Sequence, residues 1–350
     1  MCTIAGYIGE KRAAPVLLEM LKREESFDSG YYSGIATIHE GRLYYAKLTG
    51  DVSRLEALTD AASLPGNIGI IHSRTKSGGG DAWAQPFIGT KDGKGEPYIA
   101  YVANGSQGIF AAEVEKSISP IANELFSLGY GLPSKCKIDA PRYATLPDGE
   151  GVHSSEVMAQ QIMRYVDGGA ALSDACEKAF CDMPGEIVGL AISLSEPETI
   201  SFARINQPMN VAFCSHGVYV GTTAMCFPSD ASEPSLLPAF SSGTISRGDF
   251  RVKPFEKRFC TVAPLTPAYR GFVCEYVQKA LGEKKRSFGE MRKMLIEASD
   301  RSKYDIYPVS QTVYECIKHL LDEGKIGCEI TTVAGVSDGI TAPLTMFYLN

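Results

Sequence analysis

The sequence predicts an α+β protein built in two parts: a large sandwich of two sheets with helices packed outside, then a small α+β module. Three observations predict it. Short apolar strands fill much of the first hundred residues, and strands return between Gly185 and Phe259 after a pair of helical patterns. The last stretch changes character, to three helical patterns and a β-hairpin. The chain has 350 residues, 44% hydrophobic and 21% charged, which is enough apolar material for a real core and enough length for two domains.

Each element has a local reason. Residues 1–9 read as a strand ending at Gly9. Ala13 to Arg23 carries Val16, Leu17, Met20 and Leu21 at helical spacing. Ile35 to Ile38 and Arg42 to Ala46 flank the Glu40-Gly41 turn as a hairpin, and Val52 to Ala62 is helical. Gly69 to Ser73 and Tyr98 to Ala103 are short apolar strands, each running into a polar loop. Ala111 to Leu128 reads as a helix interrupted near Pro120, and Gly131 to Gly151 as a long loop of the kind that carries function. Ser154 to Tyr165 and Leu172 to Met183 are helices. Ile187–Leu194, Thr199–Arg204, Val211–Cys214, Val218–Thr222 and Gly243–Val252 are strands. After a linker at Pro264 to Pro267 come helices at Tyr269–Leu281, at the capping box Ser287-x-x-Glu290, and at Ser310–Leu321. Strands at Ile326–Val333 and Leu344–Leu349 close the chain, so the tail resembles a winged helix-turn-helix.

Composition excludes several classes. A net charge of −7 is not that of a protein coated for nucleic acid. No apolar run approaches the roughly 20 residues that span a bilayer, and no signal peptide opens the chain, so a cytosolic protein is expected. The ten cysteines then read as reduced thiols, with no CxxC pair, and the five scattered histidines give a zinc site no spacing support. Most of these cysteines read as small buried hydrophobes. Cys2, directly after the initiator Met, is placed differently.

Removal of Met1 would make Cys2 the first residue. Its α-amine would titrate at about 7.7–8.0, and an amine on the same residue can activate the thiol without a histidine. Three further features join it. The strand Gly69 to Ser73 delivers His72-Ser73-Arg74-Thr75-Lys76-Ser77-Gly78-Gly79 into a loop, where an Arg can clamp a carboxylate bidentately. The strand Tyr98 to Ala103 ends at Asn104-Gly105, a side-chain amide followed by a Gly N–H, which suits an oxyanion hole. The Ser33 to Ala36 segment leads into the first hairpin. Taken singly, Cys2 can be chance, Arg74 a surface residue in a turn, and Asn104-Gly105 a simple turn.

Taken in order, these motifs resemble the class II glutamine amidotransferases, a family of N-terminal-nucleophile hydrolases, and above all the glutaminase domain of glucosamine-6-phosphate synthase. The family's Cys-Gly-Ile-x-Gly is similar to Cys2-Thr3-Ile4-Ala5-Gly6, and its His-Thr-Arg-Trp-Ala-Thr-His-Gly to His72 through Gly79. Its Asn-Ala-His-Pro-Phe resembles Trp83-Ala84-Gln85-Pro86-Phe87, its His-Asn-Gly resembles Ala103-Asn104-Gly105, and its Asp-Thr-Glu-Val resembles Ser154-Ser155-Glu156-Val157. The likeness runs over residues 1–262 and implies a four-layer αββα sandwich. It implies Cys2 as nucleophile with its own amine as base, and Asn104 and Gly105 as the oxyanion hole. Arg74, Thr75, Ser77, Gly78 and Ser154 would form the substrate pocket, Arg74 clamping the α-carboxylate of glutamine with support from Ser77. No metal or organic cofactor is implied.

The departures are specific. The family's Arg-Gly-Tyr-Asp-Ser-Ala-Gly lacks its Arg in Asp28-Ser29-Gly30-Tyr31-Tyr32-Ser33-Gly34. Thr75 stands for the family Trp and Gly78 for a His. Ser154 stands where the family has the Asp that holds the substrate ammonium. Losing that charge-assisted hydrogen bond removes roughly 1.5–3 kcal/mol, so weak glutamine affinity or a different amide substrate is expected. Glu156 is expected to cap or pack on its helix.

The tail, residues 263–350, is too short for the sugar-isomerase part of the synthase. The ammonia acceptor is therefore expected on a separate subunit, or the reaction stops at hydrolysis. From Pro264 on, the tail holds 11 Lys+Arg and 11 Asp+Glu, so the −7 belongs to the body. Phosphate contacts supply much of nucleic-acid affinity, and the helix Ser310–Leu321 offers only Lys318 and His319. Docking or self-association into a homo-oligomer is the preferred role, and DNA binding stays open. Rivals to a glutaminase are an amidase acting on another amide, and a ligand-sensing regulator with a DNA- or protein-binding tail.

Overall fold

A computed structural model describes residues 1–93, 95–137, 143–299 and 302–350. Two antiparallel sheets lie face to face. The first has seven strands in the spatial order Ser235–Leu236, Asn210–Cys214, Gly217–Gly221, Thr3–Gly9, Ile68–Arg74, Tyr32–His39 and Arg42–Thr49. The second has six, in the order Asp249–Pro254, Ser241–Ser246, Ile200–Arg204, Glu186–Ser193, Pro97–Ser106 and Phe87–Thr90.

Alternation along each strand sorts side chains into layers. In the first strand Ile4 and Ile8 point between the sheets, where they join Ile70 and, from the second sheet, Val102, Leu190, Ile200 and Phe202. Ala5 and Tyr7 point the other way, to Leu17, Leu18 and Leu21 of α1 (Ala13–Lys22) and Val52 and Leu55 of α2 (Val52–Leu58). The outer face of the second sheet, with Ile99, Tyr101 and Ala191, is covered by α3 (Val114–Ser127), α4 (Ser154–Asp167) and α5 (Leu172–Asp182). Helix, sheet, sheet, helix is thus the order of the layers. Among the described residues no helix is long and apolar enough to cross a membrane.

Most elements fall where periodicity puts them; it does not mark the short strands Ser235–Leu236 and Arg286–Ser287, the helix from Val52 ends at Leu58, and four further elements differ. α3 continues through Pro120 instead of breaking there, although the ring removes one N–H and crowds the carbonyl four residues earlier. The span Gly243–Val252 is a hairpin of two strands, turning at Arg247-Gly248. Phe87–Thr90 is a strand the alternation did not mark, because it is only four residues long. The loop Gly131–Gly151 holds a small ladder, Ala144–Thr145 against Gly151–Val152, and its residues 138–142 lie outside the described residues.

The tail runs α6 (Pro267–Glu283), a short strand Arg286–Ser287, α7 (Phe288–Ala298), α8 (Val309–Asp322), and the hairpin Ile326–Ala334 with Thr341–Leu349. The three strands form one sheet with Thr341–Leu349 at its centre. The capping box at the start of α7 is complete, Ser287 Oγ accepting from the Glu290 N–H and the Glu290 carboxylate from the Ser287 N–H. Thr266 caps α6 by accepting from the Tyr269 N–H, so the linker at Pro264 to Pro267 runs straight into the helix.

The tail packs onto the body at its N-terminus. Phe27 meets Tyr314 and Phe347 with ring centres 6.1 and 5.8 Å apart, and Met1 joins the same apolar cluster. Ser26 and Thr345 share a hydroxyl hydrogen bond of 2.7 Å. The helix that would read DNA is turned inward: Ser310, Gln311, Thr312, Val313 and Tyr314 of α8 are buried, and exposed Lys318 is paired with Asp322 at 2.6 Å.

Candidate active site

The antiparallel register of the first strand with Ile68–Arg74 sets Thr3 opposite Ser73. One step further, Cys2 and Arg74 leave the sheet at the same end. Cys2 is buried, with its Sγ 3.8 Å from Thr75 Oγ1. It lines a cavity of about 170 Å³ together with Arg74, Thr75, Ser77, Gly105 and Ser154. Six of the eight residues proposed from sequence therefore share one cavity.

Arg74 is only 5% exposed. Its guanidinium lies over the rings of Tyr32 and Trp83, 5.1 and 5.3 Å from their centres, and its Nη1 donates to the Trp83 carbonyl at 3.1 Å. Burial pulls its pKa down, and Cys2, Tyr143 and Tyr32 oppose that; an arginine stays charged regardless. Tyr32 also holds the loop in shape, donating its hydroxyl toward the carbonyls of Ser77 at 2.7 Å and Gly78 at 3.0 Å. Gly78 itself is exposed and is not part of the cavity wall, so the loop turns it away from the place its motif suggested.

Asn104 is fully buried, and neither atom of its side-chain amide has a partner among the described residues. Such an orphan costs about 1–3 kcal/mol, which is a reservoir for a ligand. Asn104 stands one residue behind the cavity wall, and Gly105 lines the wall itself. Gly105 has φ +123°, and a Cβ there would come within 2.0 Å of the Glu186 carbonyl, so glycine is required. Gln85 pins this strand end, accepting from the Ala103 N–H at 2.6 Å. Ser77 Oγ and Ser154 Oγ are also buried without partners among the described residues. Four polar atoms on three side chains, without partners among the described residues, thus surround or abut one small cavity.

The opposite wall was less legible. His153 caps α4, its Nδ1 accepting from the Ser155 N–H at 3.0 Å, and packs edge-on to Trp83. Burial holds His153 far below the usual imidazole range, so it is neutral at pH 7. Glu156 accepts from the N–H and the hydroxyl of Ser134, and burial raises its pKa to about 7 while Lys47 and Ser134 oppose the rise. It does not cap its own helix; it ties α4 to the loop before it. Lys47 donates to the Ala84 carbonyl at 2.9 Å and so fixes the segment between Trp83 and Phe87. Tyr32, Trp83 and Tyr143 lie in three separate segments of the chain, and no sequence pattern joins them.

In this form Met1 precedes Cys2. Its amine donates to the Asp28 carboxylate, and burial drives its pKa down to about 4, with Arg292 adding to the fall and Cys2 opposing it. Elsewhere the structure gathers Cys214, His216 and Asp230, with ligand atoms within 4.8 Å of one another, although sequence spacing offered no metal site. A hairpin turn and a loop bring them together. Their atoms are taken up in mutual hydrogen bonds and in bonds to Tyr7 and Tyr219.

No family model matches the chain. It is 25% identical over 273 residues to the glutamine–fructose-6-phosphate aminotransferase [isomerizing] of Bartonella henselae, which covers 77% of this chain and 39% of that protein. With the enzyme of the same name from Pyrococcus horikoshii it is 26% identical over 257 residues, covering 72% of this chain and 38% of the other. The chain thus spans under two fifths of the length of the curated relatives it matches. Among solved structures, the glutamine phosphoribosylpyrophosphate amidotransferase of B. subtilis superposes with TM-score 0.57 at 15% identity, over 75% of this chain and 50% of that one. A structure described as the allosteric regulatory enzyme of purine biosynthesis gives TM-score 0.59 at 15% identity, over 97% and 67%. Motif order and these sequence relatives make the chain similar to the class II, N-terminal-nucleophile glutamine amidotransferases, and its fold is that of the two solved neighbours.

Proposed function

We propose that the protein releases ammonia from the side-chain amide of glutamine, with Cys2 as nucleophile once Met1 has been removed. The observation that carries this is the single small cavity shared by Cys2, Arg74 and Gly105, with the unpartnered Asn104 amide directly behind it. The freed Cys2 amine takes the thiol proton, and the thiolate attacks the amide carbon. The oxyanion that forms is held by Asn104 Nδ2 and the Gly105 N–H. The intermediate collapses, the protonated amine gives its proton to the departing nitrogen, and ammonia leaves a thioester on Cys2. Water, deprotonated by the same amine, hydrolyses the thioester to glutamate. Arg74 holds the α-carboxylate with support from Ser77, and Ser154 supplies a hydroxyl for the α-amino end. None of these steps calls for a metal or organic cofactor.

Ser154 supplies a hydroxyl where the family has a carboxylate, which favours weak binding of glutamine and keeps a related small amide as a second reading. We place the protein in the cytosol, where ten thiols stay reduced. The ammonia is used by an acceptor on another subunit or is released. We divide the chain into residues 1–262 and a winged-helix-like unit, 263–350, that docks over the N-terminus. The test is ammonia release from glutamine against a panel of amides, with Cys2→Ala as control. If another amide turns over while glutamine is inert, the substrate assignment is wrong.

A further inference from the structure

Cys2 lines a second and larger cavity, of about 480 Å³, that lies between the body and the tail. Cys2, Thr75 and Gly105 form its wall on the side of the amide cavity, and Arg292, Ser310 and Gln311 form its wall on the tail. We infer that this cavity binds a second small molecule, one carrying a carboxylate or a phosphate that the Arg292 guanidinium anchors.

The charge arrangement carries the inference. Three acids border the cavity, and in the form that keeps Met1 each accepts a hydrogen bond. Asp28 accepts from the Met1 amine. Glu186 accepts from the Ile109 N–H at 3.0 Å and from Asn206 Nδ2 at 3.3 Å. Asp305 accepts from the N–H and the hydroxyl of Thr261, both at 2.7 Å. Arg292 differs. Its Nε donates to Ser310 Oγ at 2.8 Å, and its terminal nitrogens have no partner and no ion pair among the described residues. Arg292 is half-buried, which pulls its pKa down, and lines the cavity, the Glu186 carboxylate on the same wall favouring its charged form. The planar fork of a guanidinium with unpartnered N–H groups matches a carboxylate or phosphate edge. Beside it, Gln311 is buried, its Nε2 donating to Glu315 at 2.8 Å while its Oε1 is unpartnered among the described residues. That oxygen accepts from a hydroxyl or amine on the same ligand. The tail thus gives the nucleophile a second neighbouring site that residues 1–262 alone do not form.

The site rests on the cavity and not on glutamine hydrolysis, so either reading can fail without the other. The test follows alkylation of Cys2 by neutral iodoacetamide at pH 7, read on the N-terminal peptide by mass spectrometry. Inorganic phosphate is titrated at constant ionic strength, and thermal unfolding is recorded in parallel. Phosphate is expected to slow Cys2 labelling at least threefold in a saturable way and to raise the melting temperature. Both effects should vanish in Arg292→Gln and persist, weakened, in Arg292→Lys. Malonate run in the same way separates a carboxylate ligand from a phosphate one. If neither anion protects the wild-type protein, or if either protects Arg292→Gln equally, the site is refuted. Should Arg292→Gln fail to fold, the wild-type and Arg292→Lys titrations decide.

Discussion

Thr3 and Ser73 face each other across the first sheet, and that register puts Cys2 beside Arg74. The nucleophile and the proposed clamp therefore owe their proximity to two strands and not to loops, which favours precise placement. The loop that follows Arg74 is held by Tyr32, whose hydroxyl reaches its carbonyls.

A bidentate clamp is sensitive to the shape of the cation as well as its charge. Arg74→Lys keeps the charge but loses the planar fork and the stacking on Tyr32 and Trp83. The KM for glutamine should rise about tenfold or more, with a smaller change in kcat, measured by steady-state ammonia release.

The Asn104 amide has no partner among the described residues. Asn104→Ala should therefore lower kcat by about 10²–10³-fold with little change in KM, as for removal of one oxyanion donor. A proportional rise in KM instead would assign Asn104 to ground-state binding.

Ser154 is buried, and its hydroxyl has no partner among the described residues. Ser154→Asp would restore an anion opposite the substrate ammonium, a contact worth roughly 1.5–3 kcal/mol. The KM for glutamine should fall about tenfold or more. No fall, with the protein folded, would mean that the α-amino group does not sit at Ser154.

Stability should carry a pH signature from the carboxyls beneath the site. Glu24 and Glu25 are buried, and burial raises each to about 8. A raised carboxyl binds its proton more tightly in the folded state, so its stabilisation is complete below about pH 4.5 and is lost as pH rises toward 8. His72 and His153, held low by burial, act oppositely below about pH 6.5. Glu24→Gln isolates one group, because an amide oxygen can still accept from Thr223. Variant and wild type should melt together near pH 4.5, and the wild type should fall behind by several degrees by pH 8. A difference independent of pH would show that Glu24 does not hold a proton in the fold.

Much of this was legible in the sequence, for physical reasons. Ile4, Ile8, Ala5 and Tyr7 alternate between two apolar layers, so the strand that carries Cys2 was plain. Ser287 and Glu290 announced α7 through a local capping pattern that needs no tertiary context. The Asn104-Gly105 pair was legible as a side-chain amide followed by a Gly N–H at a strand end, and the positive φ of Gly105 came only with the structure. What escaped were long-range partners: Lys47 reaching the Ala84 carbonyl, Glu156 holding Ser134, and Arg292 facing Cys2 across the tail. Such contacts depend on how elements dock, and no periodicity records that. Gly78 shows the converse, a motif position that the loop turns outward.

The central claim is that Cys2 becomes an N-terminal nucleophile for an amide. The measurement that tests it most directly is ammonia release from glutamine by protein whose intact mass shows Met1 removed. The account predicts steady turnover by that species, abolished by Cys2→Ala. Fully processed, folded protein that releases no ammonia from glutamine or any related amide would contradict it.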